Sequence, residues 1–581
     1  MSQNAIERTR TDILILGSGG AGLLAALHAH QTAPDLSITI ATKGLLGKSG
    51  CTRMVQGGYN VAVNPADSVE RHFMDTIDGG KWLPHQKLAW TLVSTAIERI
   101  RELENEIGCF FDRNDDGTLH GKAFAGQTFD RTVHKGDLTG IEIINRVMEQ
   151  IWARPINRLE EHRAIALVPT KSGDAIAGVL MIDIRTGTFR FVEAKAVLLA
   201  TGGGPTMYRY HTPSGDKSMD GLAMALERGL PLRDMEMVQF HPTGLLAGTE
   251  TRMTGTVLEE GLRGAGGHLL DGNERRFMAD YDPDVERATR DIVSRAIYAE
   301  MRAGRTTPNG GVYIKMSHLG PETVTQKFKG MVERCADCGF DLAGGLVEVV
   351  PTAHYHMGGL VCEVDTSTEL PGLFVAGEDA GGVHGANRLG GNGVANSTVF
   401  GGIAGDTMPN FLAQNPHWRA PDEAVIDDAI ACATAPFGKA GGDLNGLRER
   451  LLDLMWDDVG VLRDAAGLAR AVEGLDAISG ELEQTGLPDA DRAFNLTWHD
   501  WLNLRSQIVI SKVITHAAIA RENSRGAHYR EDFPDAGDLE KSTFTVVREA
   551  NDQMNVTNAP VVFDIVRPGD TLIKDKPAAA E

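Results

Sequence analysis

The chain has 581 residues, which at roughly 150 per domain make three or four domains rather than one. Its 57 basic and 79 acidic side chains leave a formal net charge of −22, which favours solubility and argues against nucleic acid or an anionic membrane surface as a partner. Hydrophobic content of 42% suffices for buried cores, no apolar run reaches the roughly 18 residues a bilayer span needs, and six cysteines in so long a chain make no disulfide framework. With no signal peptide, the cytoplasm is the expected compartment, and attachment to a membrane through a partner stays open.

In chain order, the first element is a strand at Thr11–Leu16, followed by GSGGAG and an Ala/Leu-rich helix from about Leu23. A second β-run occupies Ser37–Ala41, and helical patterns cover about 83–108 and 138–152. Short alternating runs at 165–200 predict a β-meander and a return strand. From about 240 to 345 the texture changes to glycine loops and charged helices. A β-type pattern returns at 346–376, and 416–530 is mostly amphipathic helix. The end, KDKPAAAE, has unstructured character. No fixed-period repeat is present. The expected architecture is α/β: a Rossmann-like nucleotide-binding domain (1–238 and 347–415) split by an inserted α+β capping domain (239–346). A helical domain (416–534) and a C-terminal tail or small domain (535–581) follow.

Glycine, 67 of 581 residues, concentrates at a few loops, as backbone packed against a ligand would require. Gly17, Gly19 and Gly22 follow a strand and open a helix, which is the setting of the dinucleotide fingerprint. They allow a tight turn, close approach to a pyrophosphate and helix–strand packing, while the helix N-terminus stabilises the anion. An ordinary glycine turn is the alternative. The acid that a nicotinamide dinucleotide needs after the second strand is absent, since Thr42 and Lys43 stand there, so FAD is preferred. Ala196–Gly204 and Phe374–Asp379 each end a strand in a glycine turn, with Glu378 placed to accept from ribityl hydroxyls.

These segments, with VQFHPTG (238–244), EEGLRGAGG (259–267), RDIVSR (290–295), PTAHYHMGG (351–359) and HGANRLGGN (384–392), resemble one family. It is the flavoprotein subunit of succinate dehydrogenase and fumarate reductase, which also includes L-aspartate oxidase; the resemblance covers about 10–530. It implies hydride transfer between a dicarboxylate carbon and flavin N5, beneath a cap whose closure excludes water. By resemblance His241, His354 and Arg388 hold the substrate carboxylates, and guanidinium suits a carboxylate bidentately. Arg290 matches the proton shuttle, with Glu260 and Arg263 relaying the proton onward. Phe124 matches an aromatic that shields the substrate. The cofactor residues carried over are Gly17, Ser18, Gly19, Ala21, Gly22, Thr42, Lys43, Ser49, Cys51, Thr52, Gln56, Gly57, Gly58, Thr201, Gly202, Asp220, Glu378, Arg388 and Asn392. The bland alternatives are structural histidines for His241 and His354, a surface ion pair for Arg388, a salt-bridge cluster for Arg290, Glu260 and Arg263, and core packing for Phe124; His356 is an extra histidine with no assigned role.

Several positions depart from the family pattern. Cys51 stands where membrane-complex members carry the flavin-linking histidine, which implies non-covalent FAD; a buried free thiol is the reading preferred to a thioether link. Glu259 replaces a substrate-touching threonine. It either points away, pairs with an arginine such as Arg252, or meets a cation on the substrate. Ala265 replaces an acid, and Gly393–Asn396 replaces a segment at the flavin. Cys335 and Cys338 lack the further ligands zinc needs and are read as a surface dithiol or chance spacing; no metal is expected.

The expected function is succinate–fumarate interconversion. Electrons would pass through an iron–sulfur partner and a membrane anchor to or from a quinone, on a cytoplasmic chain bound peripherally through those partners. The alternatives are a soluble flavoenzyme resembling L-aspartate oxidase or soluble fumarate reductase, and a non-catalytic flavin-binding protein. Retention of the six polar site residues argues against the last.

Overall fold

The computed structural model describes residues 6–551 and 553–573; the KDKPAAAE end lies outside them. Strand β1 (Glu7–Leu16) turns through Gly17–Gly19 into helix α1 (Gly20–Thr32), and β2 (Ile38–Ala41) lies parallel beside β1. On its other side β1 runs parallel to the strand Phe189–Leu199. That strand is the axis of a seven-stranded sheet. Its first half pairs antiparallel with Ile176–Asp183, which pairs in turn with His162–Pro169, forming the expected meander. Its last residues pair in parallel with Leu373–Val375.

Helix α1 is buried over Gly20–Ala29 and so carries almost no polar face. It packs against the helix Asn392–Gln414, where a Cβ on Gly401 would lie 2.4 Å from Ala21 O and one on Gly405 2.5 Å from Ala25 O. Larger residues there would push the two helices apart. Gly17 has φ +115°, and a Cβ on it would lie 2.0 Å from Ala200 O. The first turn and the turn after Leu199 therefore touch through bare backbone.

Between Val238 and His356 the chain builds a second sheet. Val238–Leu245 and Leu346–His356 pair antiparallel, and Val312–Lys315 and His268–Leu270 extend the sheet outward. This part has its own core, including Leu262, Phe277, Val293, Ile314 and Met331. Cys335 is fully buried in that core, while Cys338 is half-buried. The pair is therefore not a surface dithiol: the helix Lys329–Asp337 turns Cys335 inward.

Four helices follow, Glu423–Thr434, Leu444–Asp458, Ala465–Gln484 and Leu496–Ala520. Asp422, Asp443, Asp464 and Asn495 cap them by accepting from backbone N–H groups two or three residues on. The chain then forms a hairpin, Thr543–Ala550 with Gln553–Pro560, which pairs with Leu232–Arg233. Among the described residues no helix is long and apolar enough to cross a membrane.

The last long helix is tied to the first sheet through charge. Lys43, just past β2, donates to Asp220 Oδ2 at 2.9 Å, and Arg163 donates to Oδ1 at 2.7 Å. Ser506 of that helix donates to the same Oδ1 at 2.9 Å, and Asn503 accepts from both Lys43 and Arg163. An acid missing after β2 in the sequence thus reaches Lys43 from a distant segment. Burial opposes ionisation of Asp220, but Arg163 and Lys43 hold its carboxyl below the usual range.

These contacts can be broken singly. Gly17→Ala places a methyl into Ala200 O, and we expect loss of flavin on gel filtration and destabilisation by about 2 kcal/mol or more in urea titration. Asp220→Asn leaves Arg163 and Lys43 uncompensated and costs about 3 kcal/mol by the same measure. The Asp220 contribution is complete above a pH of about 4, where an unfolded aspartate is ionised, and is lost as pH falls through its lower folded value.

Candidate active site

One cavity of about 670 Å³ runs from the Gly17–Ala21 turn to the inserted sheet. At its first end helix α1 begins at Gly19, which has no side chain to cap it, and its first turn carries no acid. Thr52 Oγ1 accepts from Gly20 N–H at 3.1 Å, and Ser18 Oγ donates to Thr42 Oγ1 at 3.3 Å. A helix N-terminus with a glycine N-cap and no acid in its first turn is a fitting seat for a diphosphate. Ser18, Ala21, Thr42, Lys43, Ser49 and Asp220 line this end; Cys51, Gln56, Gly57, Gly58, Thr201, Gly202 and Glu378 continue the wall toward the inserted sheet.

Two expected cofactor residues stand elsewhere. Gly22 packs beneath the turn, where a Cβ would lie 2.1 Å from Gly17 O. Asn392 is fully buried off the cavity: its Oδ1 accepts from Asn60 at 2.8 Å and pairs with His72 Nε2 at 3.1 Å, and its amide donates to Thr76 at 3.1 Å. The polar atoms of its side chain are spent inside the fold, while its neighbours Gly391 and Gly393 line the cavity.

Glu378 Oε1 accepts from the His356 N–H at 2.9 Å, and burial pushes its carboxyl up to about 7. His356 itself points away, with its ring nitrogens near the carbonyls of Gly358 and Met235 at 3.0 and 2.9 Å. Burial, followed by the nearby Glu378, pushes the Cys51 thiol up to about 12.

The other end of the cavity is shaped by a register shift. Phe240 faces Ala353 and Gln239 faces Tyr355, so His354 is the extra residue of a β-bulge. A bulge re-aims a side chain, and here it brings His354 to His241 with ring centroids 5.4 Å apart. Burial, then Arg290, holds both imidazoles well below their ordinary range, so both are neutral at neutral pH. Thr212 Oγ1 lies 2.9 Å from His354 Nδ1, leaving Nε2 for a ligand.

Arg388 is buried, and among the described residues no carboxylate lies within ion-pair distance of it. Its guanidinium sits 4.4 Å from the centre of the Tyr355 ring, donates to Leu389 O at 3.3 Å, and leaves Nε without a partner. Burial, then Arg290, lowers it to about 10. Arg290 donates from Nε to Glu260 Oε2 at 2.8 Å and from Nη2 to the same oxygen. Glu260 Oε1 lies 3.4 Å from Arg263 Nη2, so the three expected relay residues form one chain. Burial works against the Glu260 carboxylate, but Arg290 and Arg263 hold it below the usual range. Phe124 packs against Gly57 and Gly390, where added Cβ atoms would meet its ring at 2.5 and 2.6 Å.

Glu259 lines the cavity, but its partner is not Arg252: Lys122 Nζ lies 2.7 Å from Glu259 Oε1. Arg252 is corrected because Lys122 arrives from a hairpin strand distant in sequence. Three further residues escaped the sequence reading. Gln239 accepts from Arg290 Nη1 at 3.1 Å and donates to Asn387 and to Arg388 O, at 3.0 and 2.7 Å. Tyr355 lies inside a quoted motif, as Gln239 does, so both were open to notice. Arg334, which lines the cavity and donates to Val257 O at 2.9 Å, belongs to no motif.

Residues 12–394 match the FAD binding domain family, and residues 448–573 match the fumarate reductase flavoprotein C-terminal family. An uncharacterised FAD-dependent oxidoreductase of Methanocaldococcus jannaschii is 41% identical over 90% of this chain and 94% of its own. A fumarate reductase (CoM/CoB) chain of Methanothermobacter marburgensis is 39% identical over 91% of this chain and 95% of its own. Among solved structures, a point mutant of the E. coli quinol fumarate reductase chain FrdA superposes with a TM-score of 0.90 at 30% identity, covering 97% of this chain and 99% of that one. The matched segments include both the glycine nucleotide turn and the paired histidine strands, and the chain belongs to the FAD-dependent fumarate reductase and succinate dehydrogenase flavoprotein family.

Proposed function

We propose that this chain interconverts fumarate and succinate and exchanges electrons through an iron–sulfur partner and a membrane anchor with a quinone pool, peripherally on the cytoplasmic side. The observation that carries the substrate class is Arg388, a buried guanidinium with no carboxylate partner among the described residues, facing the same cavity as two neutral histidines. A buried cation that lacks a counter-ion is stabilised by an anionic ligand. Arg388 with His354, and His241 at the other end, would hold two carboxylates.

Bound FAD supplies the site with a two-electron hydride donor and acceptor. The protein's part is to bind, polarise and protonate. Withdrawing charge through Arg388 makes an alkene carbon between two carboxylates more receptive. Arg290 faces the cavity and is joined to Glu260, so it delivers the proton to the adjacent carbon, and Arg263 exchanges it onward. Phe124 and the inserted domain, proposed as 239–346 over 1–238 with 347–415, keep water from the reacting face. The helical part, 416–534, and the tail, 535–581, buttress it.

Cys51 supports non-covalent FAD, because a thiol pushed to about 12 holds little of the thiolate needed for attachment. A flavin without a covalent link favours fumarate reduction. The CoM/CoB-named relative supports a second source of electrons, a thiol pair rather than a quinol.

Three outcomes test this reading. Arg290→Gln should lower fumarate reduction with a reduced viologen about 10²- to 10⁴-fold while the flavin content stays unchanged. Acid precipitation should leave the flavin in the supernatant; flavin fluorescence retained by the denatured chain would overturn the non-covalent assignment. The intact complex should oxidise a quinol in the presence of fumarate, whereas oxidation of thiols alone selects the second source.

A further inference from the structure

We infer that Lys122 is the specificity-determining residue that lets an anionic substrate occupy a cavity walled by Glu259. The inference rests on the dicarboxylate reading of the site and deepens it. Glu259 and Glu260 are adjacent, both are buried, and both line the cavity. Glu260 is compensated by Arg290 and Arg263. Among the described residues, Glu259 has one cation within ion-pair distance, and that cation is Lys122.

Lys122 is held for this task. It lies on the short strand Gly121–Lys122, paired antiparallel with Thr132–Val133, outside the inserted sheet. Its ammonium donates to Glu259 Oε1 at 2.7 Å and to Gly136 O at 2.8 Å. The backbone carbonyl fixes the ammonium, so the pair keeps one geometry. The Lys122 side chain is 22% exposed and that of Glu259 only 4%, so water reaches the cation but scarcely the carboxylate. Burial pushes the Glu259 carboxyl above the usual carboxylate range and Lys122 opposes that shift, so Lys122 both keeps the carboxylate ionised and balances its charge. Two carboxylates a few ångströms apart in such a setting weaken binding by about tenfold or more if one is left bare. The pair therefore sets which ligands the cavity accepts: with Lys122 it takes a dianion, without it the wall repels one.

The test uses the full-length FAD-loaded protein, with Lys122→Met, Lys122→Arg and the double variant Lys122→Met/Glu259→Gln. Two readouts are taken: KM and kcat for fumarate with a reduced viologen, and the flavin absorbance change on binding malonate, an unreactive dianion. Lys122→Met should raise the fumarate KM and the malonate Kd about tenfold, with a smaller effect on kcat. Lys122→Arg should keep both near the wild-type values. The double variant should recover most of the malonate affinity, a rescue that a merely structural lysine would not show. An unchanged Kd in Lys122→Met, or a double variant no better than the single, overturns the inference while the dicarboxylate reading stands. Wild-type protein that neither reduces fumarate nor responds to malonate overturns both.

Discussion

Burying Arg388 with no carboxylate partner among the described residues is the constraint around which the site is arranged. In a dry interior such a charge is costly, and the neighbours share the work of holding it without cancelling it. Tyr355 offers the face of its ring, Leu389 a carbonyl, and Gln239 ties down the Arg388 backbone carbonyl. None of these consumes the guanidinium's capacity for an anion. Burial, then Arg290 with a smaller part from Arg388, keeps His241 and His354 neutral, so they add hydrogen-bonding capacity without adding charge.

Three carboxylates around the cavity are balanced by cations. Glu260 sits between Arg290 and Arg263, Glu259 against Lys122, and Asp220 against Lys43 and Arg163. These pairs join parts that are far apart in the chain. Asp220 draws the last long helix onto the sheet edge next to the nucleotide turn, and Lys122 meets the inserted part across the cavity. Ion pairs that hold distant parts of the chain together thus also line the cavity.

Backbone geometry does what side chains alone do not. The β-bulge at His354 turns that ring toward His241, and Gly17 lets two turns meet with no side chain between them. The bulge places a polar ring on the cavity wall from a strand that also carries the fold.

Much of this was legible in the sequence, and the reason is local. A strand–glycine–helix order is written in adjacent residues, and so are the short alternating runs that form the meander beside it. The histidine, arginine and glutamate motifs are short and carry their chemistry in adjacent residues. What the sequence could not determine are partners across space. It offered Arg252 as one of three answers for Glu259, carried Asn392 over to the flavin by resemblance and left Cys335 and Cys338 as a surface dithiol or chance spacing. The structure instead brings in Lys122 from a distant hairpin, spends Asn392 on Asn60, His72 and Thr76, and buries Cys335 in the inserted core. A side chain's type is written in one position. Its neighbours are decided by how sheets, a one-residue bulge and helix packing bring remote positions together, and only the tertiary structure contains that information.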